Sequence, residues 1–253
     1  MRKPIIAGNW KLNKTISQAV DLVTELQALV ADVSEVEIVV APVFTALSAV
    51  AAALKENRIG LSAQDLYWEK SGAFTGEVSA ELLRDAGCSY VIIGHSERRQ
   101  YFGENNEMVN KKVRSALDAH LAPIICVGEH LAERQAGKTE SVIEDHVMGA
   151  IEGLSANQLL TSVIAYEPVW AIGTGQVATP DQAQEVHAHI RRLLAGKYSK
   201  EVANQIQIQY GGSVKPANAT DLLSQVDVDG ALVGGASLEA ESFAGIIAAA
   251  RRN

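Results

Sequence analysis

Residue types that serve acid–base chemistry and anion binding stand in separate short motifs of a 253-residue chain: Lys11 in GNWKLN (8–13), His95 in GHSERR (94–99), and Glu167 in AYEPVWAIGTG (165–175). Glycine pairs follow in YGGSV (210–214) and LVGGASL (232–238). A carboxylate partly withdrawn from water is a stronger base than a hydrated one. A neutral imidazole at a helix start can donate to an oxygen that is gaining charge. Glycine turns that open onto helix starts hold phosphate through backbone N–H groups, and lysine adds positive potential for an anionic substrate. Each motif also has an ordinary reading. Lys11 alone is a solvated lysine, GHSERR is a turn with Ser96 capping a helix and Glu97 at its positive end, and a glycine pair is a tight turn.

The elements that would position these residues are legible as an alternation. Short apolar runs recur at PIIAGN (4–9), VEIVVAP (36–42), RIGLSAQ (58–64), YVIIGHS (90–96), APIICVGE (122–129), SVIAYEP (162–168), IQIQYGGS (206–213) and GALVGG (230–235). Most are apolar along their whole length, as parallel strands covered by helices on both faces should be. Helical patterns lie between them. Ile16, Val20, Val23, Leu26 and Leu29 mark one face, with Thr15 and Gln18 as a capping box, and Thr179, Pro180 and Gln182 give a second start signal. Eight strand–helix units in one domain, 1–253, predict an α/β fold of the single (β/α)8 barrel type, with an open eight-stranded sheet as the alternative. In a barrel the strand ends share one mouth. Asn9 with Lys11, Gln64, His95 with Ser96, Glu129, Glu167 and the two glycine turns would converge there.

Composition narrows the function classes. The chain is 47% hydrophobic with a formal net charge of −8 and a pI near 5.3. Basic pairs such as Arg98–Arg99, Lys111–Lys112 and Arg191–Arg192 are scattered, which argues against a nucleic-acid or anionic-membrane surface. The first residues, MRKPIIAGNWKLNK, hold too short an apolar run for a signal peptide, so a soluble cytoplasmic protein is expected. Cys88 and Cys126 read as buried thiols. His187 and His189 are two apart on a helical pattern and do not share a face, and His120, His130 and His146 read as surface or interface residues. No metal and no cofactor is expected.

The chain resembles the triosephosphate isomerase family. GNWKLN, GHSERR, CVGE (126–129), AYEPVWAIGTG, YGGSV and LVGGASL stand in the family's order along essentially all of it. The resemblance implies interconversion of dihydroxyacetone phosphate and glyceraldehyde 3-phosphate. Glu167 would be the base, His95 the electrophile, and Lys11 and Asn9 substrate contacts, with Gly173, Ser213, Gly234 and Gly235 around the phosphate and Ser96, Glu97 and Cys126 in support. The residue after GTG, often lysine in the family, is Gln176 here. Pro168, Val169, Trp170, Ala171, Ile172, Gly173, Thr174, Gly175 and Gln176 would form a lid that excludes water from the reaction. A static apolar loop is the competing account, and the placement directly after Glu167 favours the lid. The long connection Gln64–Glu77 shows Tyr67, Trp68 and Phe74, and in the family it docks into a second subunit with the residue at Thr75 reaching the other site, which implies a homodimer. A barrel aldolase using Lys11 as a Schiff-base nucleophile and a catalytically silent barrel are the rival readings.

Overall fold

The structure, a computed structural model, describes residues 2–55 and 58–251. The single domain expected over 1–253 includes Met1, Glu56, Asn57, Arg252 and Asn253, which lie outside the described residues.

Parallel strands β1 (Ile5–Asn9), β2 (Glu37–Ala41), β3 (Gly60–Ala63), β4 (Tyr90–Ile93), β5 (Ala122–Val127), β6 (Val163–Tyr166), β7 (Gln207–Tyr210) and β8 (Gly230–Val233) close into a barrel in chain order. Each lies inside the apolar run expected for it. The open sheet is overturned by the pairing of β1 with β8, in which Ile5 sits opposite Gly230 and Gly8 opposite Val233. Closure needs a glycine at 230, because a Cβ there would stand 1.8 Å from the Ile5 carbonyl oxygen.

Side chains alternate across each strand. Ile5, Ala7, Val39, Ile92, Ile124, Ala165 and Leu232 fill the barrel interior, and Ile6, Val40, Val91, Ile125, Ile164 and Ile208 pack outward against the helices. Apolar residues are therefore needed on both faces, which is why the runs read as continuous rather than alternating.

Both expected helix starts form. The Thr15 N–H donates to Gln18 Oε1 (2.9 Å) before helix Ile16–Leu29. At helix Pro180–Lys197 the Thr179 N–H donates to Gln182 Oε1 (3.0 Å) and the Gln182 N–H returns to Thr179 Oγ1 (3.2 Å). The face of the first helix needs correction. Ala19, Leu22, Val23 and Leu26 are buried, whereas Ile16 and Leu29 are 50% and 44% exposed. Small Ala19 lets the helix lie close on the barrel, and the larger residues at its two ends are turned outward.

The amino-terminal end of the barrel is tied by charge. Arg191, read from sequence as one of the scattered basic pairs, is buried and donates to Asp227 Oδ1 (2.6 Å), Asp229 Oδ2 (2.7 Å) and the carbonyls of Ala203 and Ile206. Arg2 meets Asp229 from the other side (2.6 Å). His146 also departs from its surface reading: it is half-buried, and burial pushes its imidazole down to about 4.

His187 is fully buried beside Asp227, with its Nδ1 3.2 Å from the Asp227 carbonyl and its ring edge-on to Tyr166. Burial pushes it down to about 4 as well. A histidine lowered on folding binds its proton more readily in the unfolded chain, so its contribution to stability is present above about 6.5 and is lost as pH falls toward 4. Asp65, pushed up to about 6 mainly by burial, opposes this, because the folded chain holds that proton more readily. Between about pH 7 and about pH 5 His187 alone should take about 2 kcal/mol from stability. His187→Phe should flatten that slope in urea unfolding at the two pH values; an unchanged slope would remove His187 as a source of the acid sensitivity.

Candidate active site

The carboxyl ends of the strands open onto a cleft of about 620 Å³ lined by Asn9, Lys11, His95, Glu97, Glu167, Gly173, Ser213, Gly234 and Gly235. Residues spread over more than two hundred positions of sequence thus meet at one mouth, because every strand ends there. β1 delivers Asn9 and, two residues on, Lys11; β4 delivers His95; β6 delivers Glu167; and β7 and β8 deliver the two glycine turns.

Lys11 is held in an unusual backbone conformation. Its φ is 52°, in the left-handed region, which costs a non-glycine residue roughly 1–2 kcal/mol. Hydrogen bonds offset that cost: the Lys11 N–H donates to Asn9 Oδ1 (3.0 Å), and Gln64 Nε2 donates to the Lys11 carbonyl (2.9 Å) and to the Ala41 carbonyl (2.9 Å). The result aims the ammonium into the cleft, where it pairs with Glu97 Oε1. Strain of this kind persists where surrounding contacts over-determine it.

Helix Ser96–Phe102 starts at the cleft, and its cap is His95 rather than the Ser96 expected from sequence. The Glu97 N–H donates to His95 Nδ1 (3.2 Å). Nδ1 therefore offers a lone pair, and the ring hydrogen sits on Nε2, which donates to Glu167 Oε1 (2.8 Å). The nearby Glu97 Oε2, 3.6 Å from Nδ1, is not an ion-pair partner for a nitrogen without a proton. Ser96 has a different task. Its N–H donates to Glu167 Oε2 (2.8 Å), so both carboxylate oxygens are met by donors.

Glu167 is 2% exposed. Burial pushes its carboxyl up, but the His95 and Ser96 donors and the Lys11 charge outweigh it and hold Glu167 below the usual range, ionised. Burial pushes His95 down while the facing Glu167 carboxylate pulls it up, with a net rise. The Glu97 N–H at Nδ1 opposes a second ring proton, and the neutral tautomer fits every contact.

The segment after Glu167 is anchored at both ends and exposed between them. Pro168 is buried, Val169–Ala171 form a 3-10 turn, Ala171 is buried, Val169, Trp170 and Ile172 are half-covered, Gly173 to Val177 are exposed, and Ala178 is buried again. Gly173 and Gly175 have φ of 69° and 81°, a conformation in which glycine is unstrained, and Gln176 is exposed beside them. Thr174 Oγ1 donates to the Trp170 carbonyl (2.7 Å). Glu129 Oε1 gathers the near end, accepting from Trp170 Nε1 (2.9 Å), Tyr166 Oη (3.1 Å) and Arg134 (3.0 Å), while the Arg134 guanidinium lies over the Trp170 ring. Gly128 lets this corner close, since a Cβ there would stand 1.7 Å from the Glu167 carbonyl oxygen.

Cys126 is buried in the barrel interior, and burial together with the Glu167 charge pushes its thiol well above its ordinary value. Thr75 stands apart from the cleft, exposed on the connection after β3, where Tyr67 stacks against Trp68 and Phe74 at centroid distances of 4.2 and 4.8 Å. Gln64 and Glu129 were visible in sequence only as strand-end residues, and their parts in holding Lys11 and Trp170 follow from contacts across strands. Arg134 carried no signal.

The geometry has relatives. The triosephosphate isomerase family model matches residues 4–250. Over 247 residues the chain is 59% identical to the triosephosphate isomerases of Citrifermentans bemidjiense and Trichlorobacter lovleyi, covering 98% of this chain and 98% of each relative. A crystal structure of triosephosphate isomerase from Bartonella henselae superposes with a TM-score of 0.90 at 38% identity, over 99% of this chain and 100% of that one. The chain belongs to the triosephosphate isomerase family.

Proposed function

We propose that the chain interconverts dihydroxyacetone phosphate and D-glyceraldehyde 3-phosphate through an enediolate, as a step of glycolysis and gluconeogenesis. The observation that carries the chemistry is the buried pair of Glu167 and a neutral His95 with its hydrogen on Nε2, at the wall of a cleft whose far side is glycine turns. The isomerisation needs a base for a proton on carbon and a donor for the oxygen that becomes negative. A glutamate base with a neutral imidazole is the pattern already established for triosephosphate isomerases.

In this reading the substrate carbonyl oxygen takes the Nε2 hydrogen now given to Glu167, and Lys11 adds positive charge on the same oxygen. Glu167, released from His95 and Ser96 into a site that the lid closes, loses the donors that stabilise its charge and becomes a stronger base. It takes the proton from one carbon and returns it to the next. Asn9 fixes Lys11 and lines the cleft beside it. The phosphate sits among Gly173, Ser213, Gly234 and Gly235, where the 3-10 turn Gly235–Leu238 begins with amides that the turn itself leaves unpaired. Lid closure over substrate is established for triosephosphate isomerases, and here Pro168 and Gly173 to Gln176 serve as its hinges.

We also assign residues 1–253 to one domain, acting in the cytoplasm as a homodimer. Among the described residues no helix is long and apolar enough to cross a membrane. Support for the dimer comes from Leu12, Phe44, Phe74 and Phe102, exposed at 94%, 42%, 40% and 65% on segments that follow the neighbouring strands β1 to β4. Apolar side chains gathered on one flank suit a second copy, which would receive Thr75.

Glu167→Asp should keep the fold and lower turnover by ~10²-fold, since withdrawing the carboxylate by one methylene spoils the attack geometry; near-normal turnover in a coupled assay would remove Glu167 from the base role. Replacing Val169 to Thr174 by a short glycine bridge should slow proton abstraction and release methylglyoxal and inorganic phosphate from the unprotected enediolate. Clean conversion by that variant would make the segment packing and no lid. Thr75→Arg places a charge in the proposed interface at a cost on the order of 3 kcal/mol, about two orders of magnitude in the dimer constant. Sedimentation should then show monomer with weakened activity, and an unchanged, fully active dimer would refute this role for the loop.

A further inference from the structure

Glu167 borders two cavities. Besides the substrate cleft, a second one of about 320 Å³ runs in from the surface between helix Ser96–Phe102 and the segment after β5. Among the described residues lining these cavities, Glu167 is common to both. The inner end of the second cavity is made by Ser96, Cys126 and Glu167, all buried, and its outer end by Gln100 and His130, both exposed. His146 stands on its wall.

The lining is mostly polar, with Val127 and Val169 among it. His146 Nδ1 accepts from the Gly128 N–H (3.4 Å), and the Asn106 amide donates to Asp145 Oδ2 (2.8 Å). The Arg99 guanidinium donates to the Gly94 carbonyl (2.9 Å) and to Asn106 Oδ1 (2.9 Å). A polar space of this size has room for several waters, each needing about 30 Å³ and two or more polar partners.

We infer that this rear cavity is the route by which the proton carried on Glu167 exchanges with bulk water while the lid covers the substrate cleft. The inference rests on Glu167 as the base. Once Glu167 has taken a proton from carbon it is a carboxylic acid, which either returns that hydrogen to the neighbouring carbon or gives it to a water and takes another back. The exchange leaves the atoms and charge of the site unchanged and alters only which hydrogen the product carries. With the front closed, the water must come from behind, where the Ser96 N–H already draws a carboxylate oxygen to the inner end of the cavity. Cys126 is no relay at neutral pH, since its thiol holds its proton tightly, and His146 remains neutral there. The passage works as a water-filled one.

The test runs the reaction in deuterium oxide with unlabelled substrate, traps the product by irreversible oxidation, and measures the fraction that keeps the substrate's own hydrogen. His146→Trp fills the cavity and Gln100→Trp covers its mouth. Each should raise the retained fraction several-fold while turnover in ordinary water stays near that of the parent, and His146→Ala, which widens the passage, should lower it. If His146→Trp does not fold, Gln100→Trp at an exposed position and His146→Ala decide the matter. A retained fraction equal to the parent's in the folded variants overturns the route. The two readings separate cleanly: if Glu167 is not the base, Glu167→Asp turns over normally, whereas slow Glu167→Asp together with unchanged labelling sinks the rear passage alone.

Discussion

A carboxylate withdrawn from water is tolerable only where donors meet it, and most of the site is arranged around that requirement at Glu167. One oxygen receives the His95 Nε2 hydrogen and the other the Ser96 N–H. Both donors belong to one helix start after β4, so β4 and β6 must lie one strand apart, on either side of β5, for the pairing to exist. The Glu97 N–H closes the chain by fixing the His95 tautomer, and Glu97 itself receives Lys11. Removing any one donor leaves a buried charge short of a partner, at a cost of several kcal/mol.

In the proposed reaction the same carboxylate would link the resting state to turnover. Its present partners lower its basicity, so a substrate that takes the His95 hydrogen for its own oxygen would activate the base by the act of binding. The proposed lid begins at the very next residue, and Glu129, Arg134 and Tyr166 hold its first turn from below. The proposed base and the proposed lid therefore share one strand end.

Around this centre, charge networks fix the elements that carry it. Lys112 joins Asp65 (2.6 Å) and Glu104, and Arg98 joins Asp65 (2.8 Å) and Glu104, all but Arg98 buried. The network ties the connection after β3, which bears Thr75, to the helix that begins at His95. Buried ion pairs add little net stability but punish misplacement, which suits elements whose relative position matters more than their strength.

The fold and the main site residues were legible because they depend on local rules. Continuous apolar runs mark strands covered on both faces, and a barrel sends every strand end to one mouth, so Lys11, His95, Glu167 and the glycine turns could be gathered before any coordinate was known. Capping chemistry at Thr15 and Thr179 is equally local. What sequence left undecided depends on partners distant along the chain. The cap at His95 in place of Ser96, the left-handed backbone of Lys11 held by Gln64, and the grip of Glu129 on Trp170 each require strands to be neighbours in space. So does the burial of His146 and Arg191, whose residue types read as surface until their surroundings are known. Periodicity and motif order determined the barrel and the contents of its mouth. Tertiary structure alone decided which hydrogen-bond donor each carboxylate meets, because that choice belongs to side chains brought together only when the barrel closes.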